Sequence, residues 1–295
     1  MERFHTVAAM QAHADTARAA GQRLALVPTM GALHEGHLAL VEAAKQRADH
    51  VTVSIFVNPT QFAPGEDYAR YPRTLDADAE ALADAGGVDV VFAPDAEEVY
   101  PFGLPPYTTV GVRDLDRHLC GAFRPGHFEG VATVVAKLFL ACRPHLAVFG
   151  EKDAQQLAIL RRMTAELRFG IEVVGHPIVR EADGLALSSR NRYLTDEERR
   201  QAVVLSEALA VARAAVDGGE RRAAPLVDAM REAVARAPLA RLQYAEVVDA
   251  ETLQPVEVLA PGRYLAALAA HLGGTRLIDN TTLEIGPDGL APENR

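Results

Sequence analysis

Short apolar runs alternate with helical stretches from residue 24 to residue 174, and that alternation leaves few folds open to this chain. The runs at 24–27, 51–57, 88–93, 146–149 and 171–174 have strand length and are rich in β-branched residues. Apolar residues at helical spacing fill about 38–48, 75–85, 131–142 and 154–169. A strand that is apolar on both faces must be covered on both faces, and parallel strands need long crossovers that helices supply. The pattern therefore predicts a parallel sheet with helices on either side. A further amphipathic helix is expected over 1–20, and a strand over 108–112 after Pro94, Pro101, Pro105 and Pro106.

The pattern changes after Arg180. Thr195 heads a helical stretch at 196–216, Gly218 and Gly219 stop it, and a second helix is expected at 224–235, just before Pro238. Three strands should follow at 242–248, 264–270 and 276–283. The expected architecture is an α/β, Rossmann-like parallel-sheet domain over 1–178 and a smaller α+β domain over 179–295.

Charge and cysteine usage remove whole classes of function. A net charge of −10 opposes a nucleic-acid surface, because a phosphate backbone demands a basic face. The longest apolar run, 131–142, is interrupted by Lys137 and is too short to cross a bilayer, so no membrane role is expected. The first 20 residues lack a charged-then-apolar signal pattern. Cys120 and Cys142 are too few for a disulfide scaffold or a zinc cluster, and a cytoplasmic location is expected. The 27 arginines stand against three lysines, Lys45, Lys137 and Lys152, so a lysine kept in a polar loop draws notice. Lys152 is in such a loop.

Ligands of parallel α/β sheets sit beyond the carboxyl ends of the strands, and the unusual polar loops all fall there. The first strand runs into a glycine-bearing loop with His34 and His37, and a helix opens near His37. A helix N-terminus offers unpaired N–H groups and partial positive charge, so this layout suits an anion. The spacing of three, with a glycine between, does not fit a zinc protease helix, which needs histidines four apart. A local hydrogen-bonding role for the two histidines is the plain alternative.

Asn58 and Gln61 follow the second strand, where uncharged amides could grip hydroxyls beside a carboxylate without repelling it; an ordinary Asn-Pro turn is the alternative. Residues 121–128 have the glycine spacing of a P-loop but neither its lysine nor its hydroxyl. Lys152 is a compact cation suited to a phosphate, or else a solvated surface lysine. Asp153 would serve as a helix N-cap. Ser188, Ser189 and Arg190 offer two hydroxyls and a forked guanidinium that can wrap phosphate oxygens, or else form a hinge linker. Asp76, Asp78 and Glu80 read by default as the acidic first turn of a helix.

Six blocks, taken in order, resemble one family. The stretch 28–37 is similar to the HxGH signature of the nucleotidyltransferase superfamily. Its longer form, with 56–62, 71–74, 124–128, 149–153 and 188–193, resembles the pantoate-beta-alanine ligase family. The C-terminal third matches only loosely. The resemblance implies ATP and Mg2+ as cofactors, pantoate and beta-alanine as substrates, and a homodimer. It implies phosphate contacts for His34, His37, Lys152, Ser188, Ser189 and Arg190, and nucleotide contacts for Met30, Gly150, Asp153 and Val179. It assigns Gln61 and Gln156 to pantoate with Asn58 alongside, and puts Arg124 and His127 near the active-site rim, where a turn held by Pro125 and Gly126 is the plain alternative. Asp78 falls at a magnesium-linked position, although Ala77 stands where relatives often carry a second acid.

The implied reaction accounts for the lack of a Ser/His/Asp or Cys/His triad, since a carboxylate nucleophile is already ionised at neutral pH. Pantoate would attack the α-phosphorus of ATP, releasing pyrophosphate, and beta-alanine would displace AMP from the pantoyl adenylate to give pantothenate. An adenylyltransferase acting on a phosphate ester is the near alternative, and a nucleotide-binding sensor without turnover is the distant one. An aminoacyl-tRNA synthetase is disfavoured by the net charge.

Overall fold

The computed structural model describes residues 1–287, so 288–295 of the expected C-terminal domain lie outside the described residues. In chain order the elements are β1 (Glu2–Phe4), α1 (Val7–Ala19), β2 (Leu24–Thr29), α2 (Glu35–Lys45), β3 (His50–Ile55), α3 (Leu75–Ala85), β4 (Val90–Phe92) and α4 (Ala96–Val99). Then come α5 (Leu119–Phe123), α6 (His127–Cys142), β5 (Leu146–Gly150), α7 (Ala154–Glu166) and β6 (Glu172–His176). The remainder is α8 (Asp196–Ala202), α9 (Val204–Asp217), α10 (Ala223–Val234), β7 (Ala240–Asp249), β8 (Gly262–Leu272) and β9 (Thr275–Ile285). Among the described residues no helix is long and apolar enough to cross a membrane.

These elements pack as two compact units. The first holds Met1–Asp114, Arg124–Glu151 and Ile159–Pro177; the second holds Leu115–Phe123, Lys152–Ala158 and the described chain from Ile178. One cut near Val179 thus misses two short segments that pack with the later part of the chain. Gln155 ties them together: its buried amide donates to the carbonyls of Leu115 and His118, each at 2.8 Å.

In the first unit the strands form a parallel sheet in the order β1-β4-β3-β2-β5-β6. From β2 the chain winds outward through β3 and β4 on one side, then returns to place β5 and β6 on the other. The switch point therefore lies between the carboxyl ends of β2 and β5, where open sheets hold ligands. Ala25, Val27, Val53, Val91, Leu146 and Val148 form the core on which Val41, Ala44 and Leu82 of the helices pack. That two-sided burial is why the strand segments read as unbroken apolar runs.

The differences from expectation are local. Residues 2–4 form a strand paired with β4, and the first helix starts only after Thr6, whose hydroxyl accepts from the Ala9 N–H. Residues 108–112 are not a strand; the Val110 N–H instead donates to the Thr133 hydroxyl at 2.9 Å. The long helix at 196–216 is interrupted at Val203, which keeps helical dihedrals of −59° and −24°. Thr195 caps its start as expected, in a reciprocal box with Glu198.

In the second unit β7, β8 and β9 form an antiparallel sheet in that order. Leu205, Leu209 and Ala212 of α9 and Leu226 and Met230 of α10 are buried with Leu268 and Leu272 of β8.

Candidate active site

The loop after β2 is held from beneath. Gly31 and Ala32 both have positive φ, 79° and 51°, a conformation that strains an L-residue. Asp78 stabilises it: one carboxylate oxygen accepts from the Ala32 N–H at 3.0 Å and the other from the Leu33 N–H at 2.8 Å. The Thr74 hydroxyl donates to the same carboxylate at 3.1 Å. A Cβ on Gly31 would stand 2.9 Å from an Asp78 oxygen, so the close approach requires glycine. By resemblance Asp78 falls at a magnesium-linked position; in the structure its carboxylate braces the loop. Asp78 is 4% exposed with both oxygens engaged, and among the described residues no group of three or more His, Cys, Asp or Glu side chains could hold a metal.

With the loop fixed, α2 starts earlier than its apolar pattern suggested. His34 is its N-cap residue and His37 lies in its first turn. Their rings are 4.1 Å apart, and the His34 N–H donates to His37 Nδ1 at 3.4 Å. An Nδ1 that accepts leaves the ring proton on Nε2, so His37 carries an N–H donor there.

The turn after β3 carries Gln61 in a 3-10 turn, Pro59–Gln61, which Asn58 caps. Asn58 was expected to touch substrate, but it is 1% exposed and its amide is engaged within the protein. Its Nδ2 donates to the Gly130 carbonyl at 3.2 Å and to Gln61 Oε1 at 3.0 Å, while its Oδ1 accepts from Tyr100 and Thr60. Its place is behind Gln61.

Arg124 and His127 pack against the same turn. Gly126, with φ at 77°, heads α6, so His127 is the first helical residue. His127 Nδ1 donates to the Gln61 carbonyl at 2.7 Å, and its Nε2 then accepts from Arg124 Nη1 at 2.9 Å. Arg124 also forks onto Glu66, at 2.7 and 2.6 Å. Burial alone would raise the Glu66 carboxyl, but the Arg124 guanidinium more than offsets it and holds it below the usual range. Both residues thus clamp the 61–66 turn. A cavity of about 510 Å³ beside it is lined by Gln61, Phe62, Pro105, His127 and Thr133 among others, but by neither loop histidine.

Met30 follows β2 and Gly150 ends β5, neighbouring strands of the sheet, so both flank the switch point.

The remaining expected residues belong to the second unit. Lys152 and Asp153 lie in a 3-10 turn, Glu151–Asp153, and Asp153 directly precedes α7. Gln156 follows in the first turn of α7. Among the described residues the Lys152 ammonium makes no hydrogen bond or ion pair, whereas its carbonyl accepts from Asn280 at 2.9 Å. Next to Asn280 on β9, buried Asp279 takes a forked pair of bonds from Arg180, at 2.7 and 2.9 Å. Arg180 opens a tight excursion closed by the Leu187 N–H donating to the Val179 carbonyl at 3.0 Å. Ser188 then caps the 3-10 turn Ser189–Tyr193, accepting from the Arg190 N–H. Adjacent residues of β9 therefore anchor both the Lys152 turn and the segment leading to Arg190. Asp279 and Asn280 carried no motif in the sequence.

A doubly wound parallel sheet, with a braced histidine loop and a helix N-terminus at its switch point, defines a Rossmann-like α/β protein. Residues 2–282 match the pantoate-beta-alanine ligase family. The chain belongs to that family. It is 61% identical over 293 residues to the pantothenate synthetase of Salinibacter ruber, covering 97% of this chain and 99% of that one. Among solved structures, pantothenate synthetase from Thermus thermophilus superposes with a TM-score of 0.88 at 48% identity, covering 95% of this chain and 99% of that one. Pantoate-beta-alanine ligase from Francisella tularensis, complexed with beta-gamma ATP and beta-alanine, gives a TM-score of 0.77 at 33% identity, covering 95% and 97%.

Proposed function

We propose that this chain condenses pantoate with beta-alanine in an ATP-dependent reaction that passes through pantoyl adenylate. The pantoate carboxylate attacks the α-phosphorus and pyrophosphate leaves. The beta-alanine amine then attacks the acyl carbon, loses a proton and expels AMP, giving pantothenate. The observation that carries the reading is the Francisella tularensis relative, matched along nearly the whole chain and complexed with beta-gamma ATP and beta-alanine.

The protein's task is positioning and charge stabilisation, because the nucleophile needs no activation. On this reading the His37 Nε2–H, His34, Lys152, Ser188, Ser189 and Arg190 serve the phosphates, and Asp153, Met30, Gly150 and Val179 serve the rest of the nucleotide. Gln61 and Gln156 hold pantoate. Arg124, His127 and Asn58 act one step back, by fixing the turn that carries Gln61. Magnesium enters as part of the Mg-ATP substrate. A homodimer and a cytoplasmic location complete the proposal. The buried free thiols of Cys120 and Cys142 suit a reducing compartment. Sedimentation at assay concentration tests the assembly, and a species of 31.7 kDa contradicts it.

Lys152→Ala and His37→Ala should each slow single-turnover adenylate formation by more than roughly a hundredfold, the scale of one preorganised donor. Near wild-type rates in both variants would overturn these roles.

A further inference from the structure

We propose that Tyr100 is a positioning residue for acid recognition: acting through Asn58, its phenol fixes the Gln61 side chain as a hydrogen-bond donor toward substrate. The proposal rests on the reading that Gln61 contacts pantoate.

The assignment of atoms follows from groups with only one possible role. A backbone carbonyl only accepts, so the Asn58 atom 3.2 Å from the Gly130 oxygen is Nδ2. A backbone N–H only donates, so the Asn58 atom facing the Thr60 N–H at 3.4 Å is Oδ1. With Asn58 so oriented, the phenol 2.7 Å from Oδ1 has to donate. The Gln61 atom 3.0 Å from Asn58 Nδ2 must then be Oε1. Gln61 therefore spends its carbonyl inside the protein and keeps Nε2, whose neighbour at 3.2 Å is the Met30 thioether, a weak acceptor. An N–H of Gln61 is left for a ligand oxygen.

Tyr100 is built to hold this role. It is 3% exposed, and burial raises its pKa, with the Thr60 contact opposing, so the phenol keeps its proton at neutral pH. The Lys137 ammonium stands 5.1 Å from the centre of its ring, within cation–π range. That explains the lysine interrupting the apolar run of α6. Gly130 and Thr60 set the Asn58 amide, and a tyrosine 42 residues away holds it there by donating to its oxygen, which keeps the Gln61 N–H toward the acid.

Tyr100→Phe keeps the ring and removes the donor. In steady-state assays it should raise KM for pantoate roughly 3- to 10-fold, the scale of one lost hydrogen bond, with KM for ATP within error. Gln61→Ala should raise KM for pantoate further, and adding Tyr100→Phe to Gln61→Ala should have no additional effect. If Gln61→Ala leaves pantoate KM unchanged, the underlying reading fails and the proposal with it. If Gln61→Ala raises it but Tyr100→Phe does not, or the two effects add, the positioning role alone is overturned. Should Tyr100→Phe yield little folded protein, Asn58→Ala in the same cycle carries the same pair of outcomes.

Discussion

Asp78 illustrates how neighbours decide what a carboxylate does. Two loop N–H groups and one hydroxyl saturate it, and each charge-assisted bond of this kind contributes about 1.5–3 kcal/mol. Asp78→Ala should therefore lower the thermal midpoint and slow adenylation, while Asp78→Asn, which keeps an acceptor, should do less of both. In Asp78→Asn the Mg2+ concentration for half-maximal adenylation should match wild type; a tenfold rise would assign Asp78 a metal-ligand role instead. Gly130 makes a second residue-scale case, since a Cβ there would stand 2.3 Å from the Thr60 carbonyl oxygen. Gly130→Ala must push the turn bearing Gln61, at a cost of roughly 1–3 kcal/mol for overpacking, so thermal melting and pantoate KM should both worsen. An unchanged KM would separate that turn from substrate binding. The spacing of Asn58 and Gln61 marked the turn in the sequence, but not which amide faces inward. The Gly130 carbonyl, 72 residues from Asn58, settles that, and the Tyr100 hydroxyl, 42 residues away, reinforces it.

At the scale of elements, most strands of the parallel sheet were legible because two-sided burial leaves unbroken apolar runs, whereas two helix starts were not. Both α2 and α6 begin before their apolar stripes, because His34 and Gly126 supply the first turn's geometry rather than its packing. β1 is three residues long, too short for any periodicity. It lies beside a pH-sensitive contact. His13 of α1 and His50 of β3 share a hydrogen bond between Nε2 atoms at 2.8 Å, which needs one ring to accept. Burial, followed by the opposing pull of Asp89 and the push of His13, leaves the His50 pKa below its ordinary 6.5, with Glu2 also pulling upward. Unfolded His50 then binds protons that the folded residue resists. Its contribution is complete above the ordinary pKa and is lost as pH falls toward the folded one. The thermal midpoint should thus drop between pH 7.5 and 5, and His50→Gln should flatten that drop; an equal drop in the variant would assign it elsewhere.

For the whole molecule, alternating strands and helices announced the parallel sheet and the polar loops beyond its carboxyl edge, while the strand order that sets the switch point came only with the structure. The membership of 115–123 and 152–158 in the second unit was hidden, because it depends on Gln155, one of two adjacent glutamines that look alike in sequence. The anchoring of the Lys152 turn by Asn280 was equally hidden, a contact spanning 128 residues. What the whole chain is proposed to do is activate an acid on ATP before any amine arrives. Exchange of labelled pyrophosphate into ATP, with pantoate present and beta-alanine withheld, measures that step alone. The account predicts exchange that requires pantoate and collapses in Lys152→Ala; exchange without pantoate, or none with it while pantothenate still forms, would contradict it.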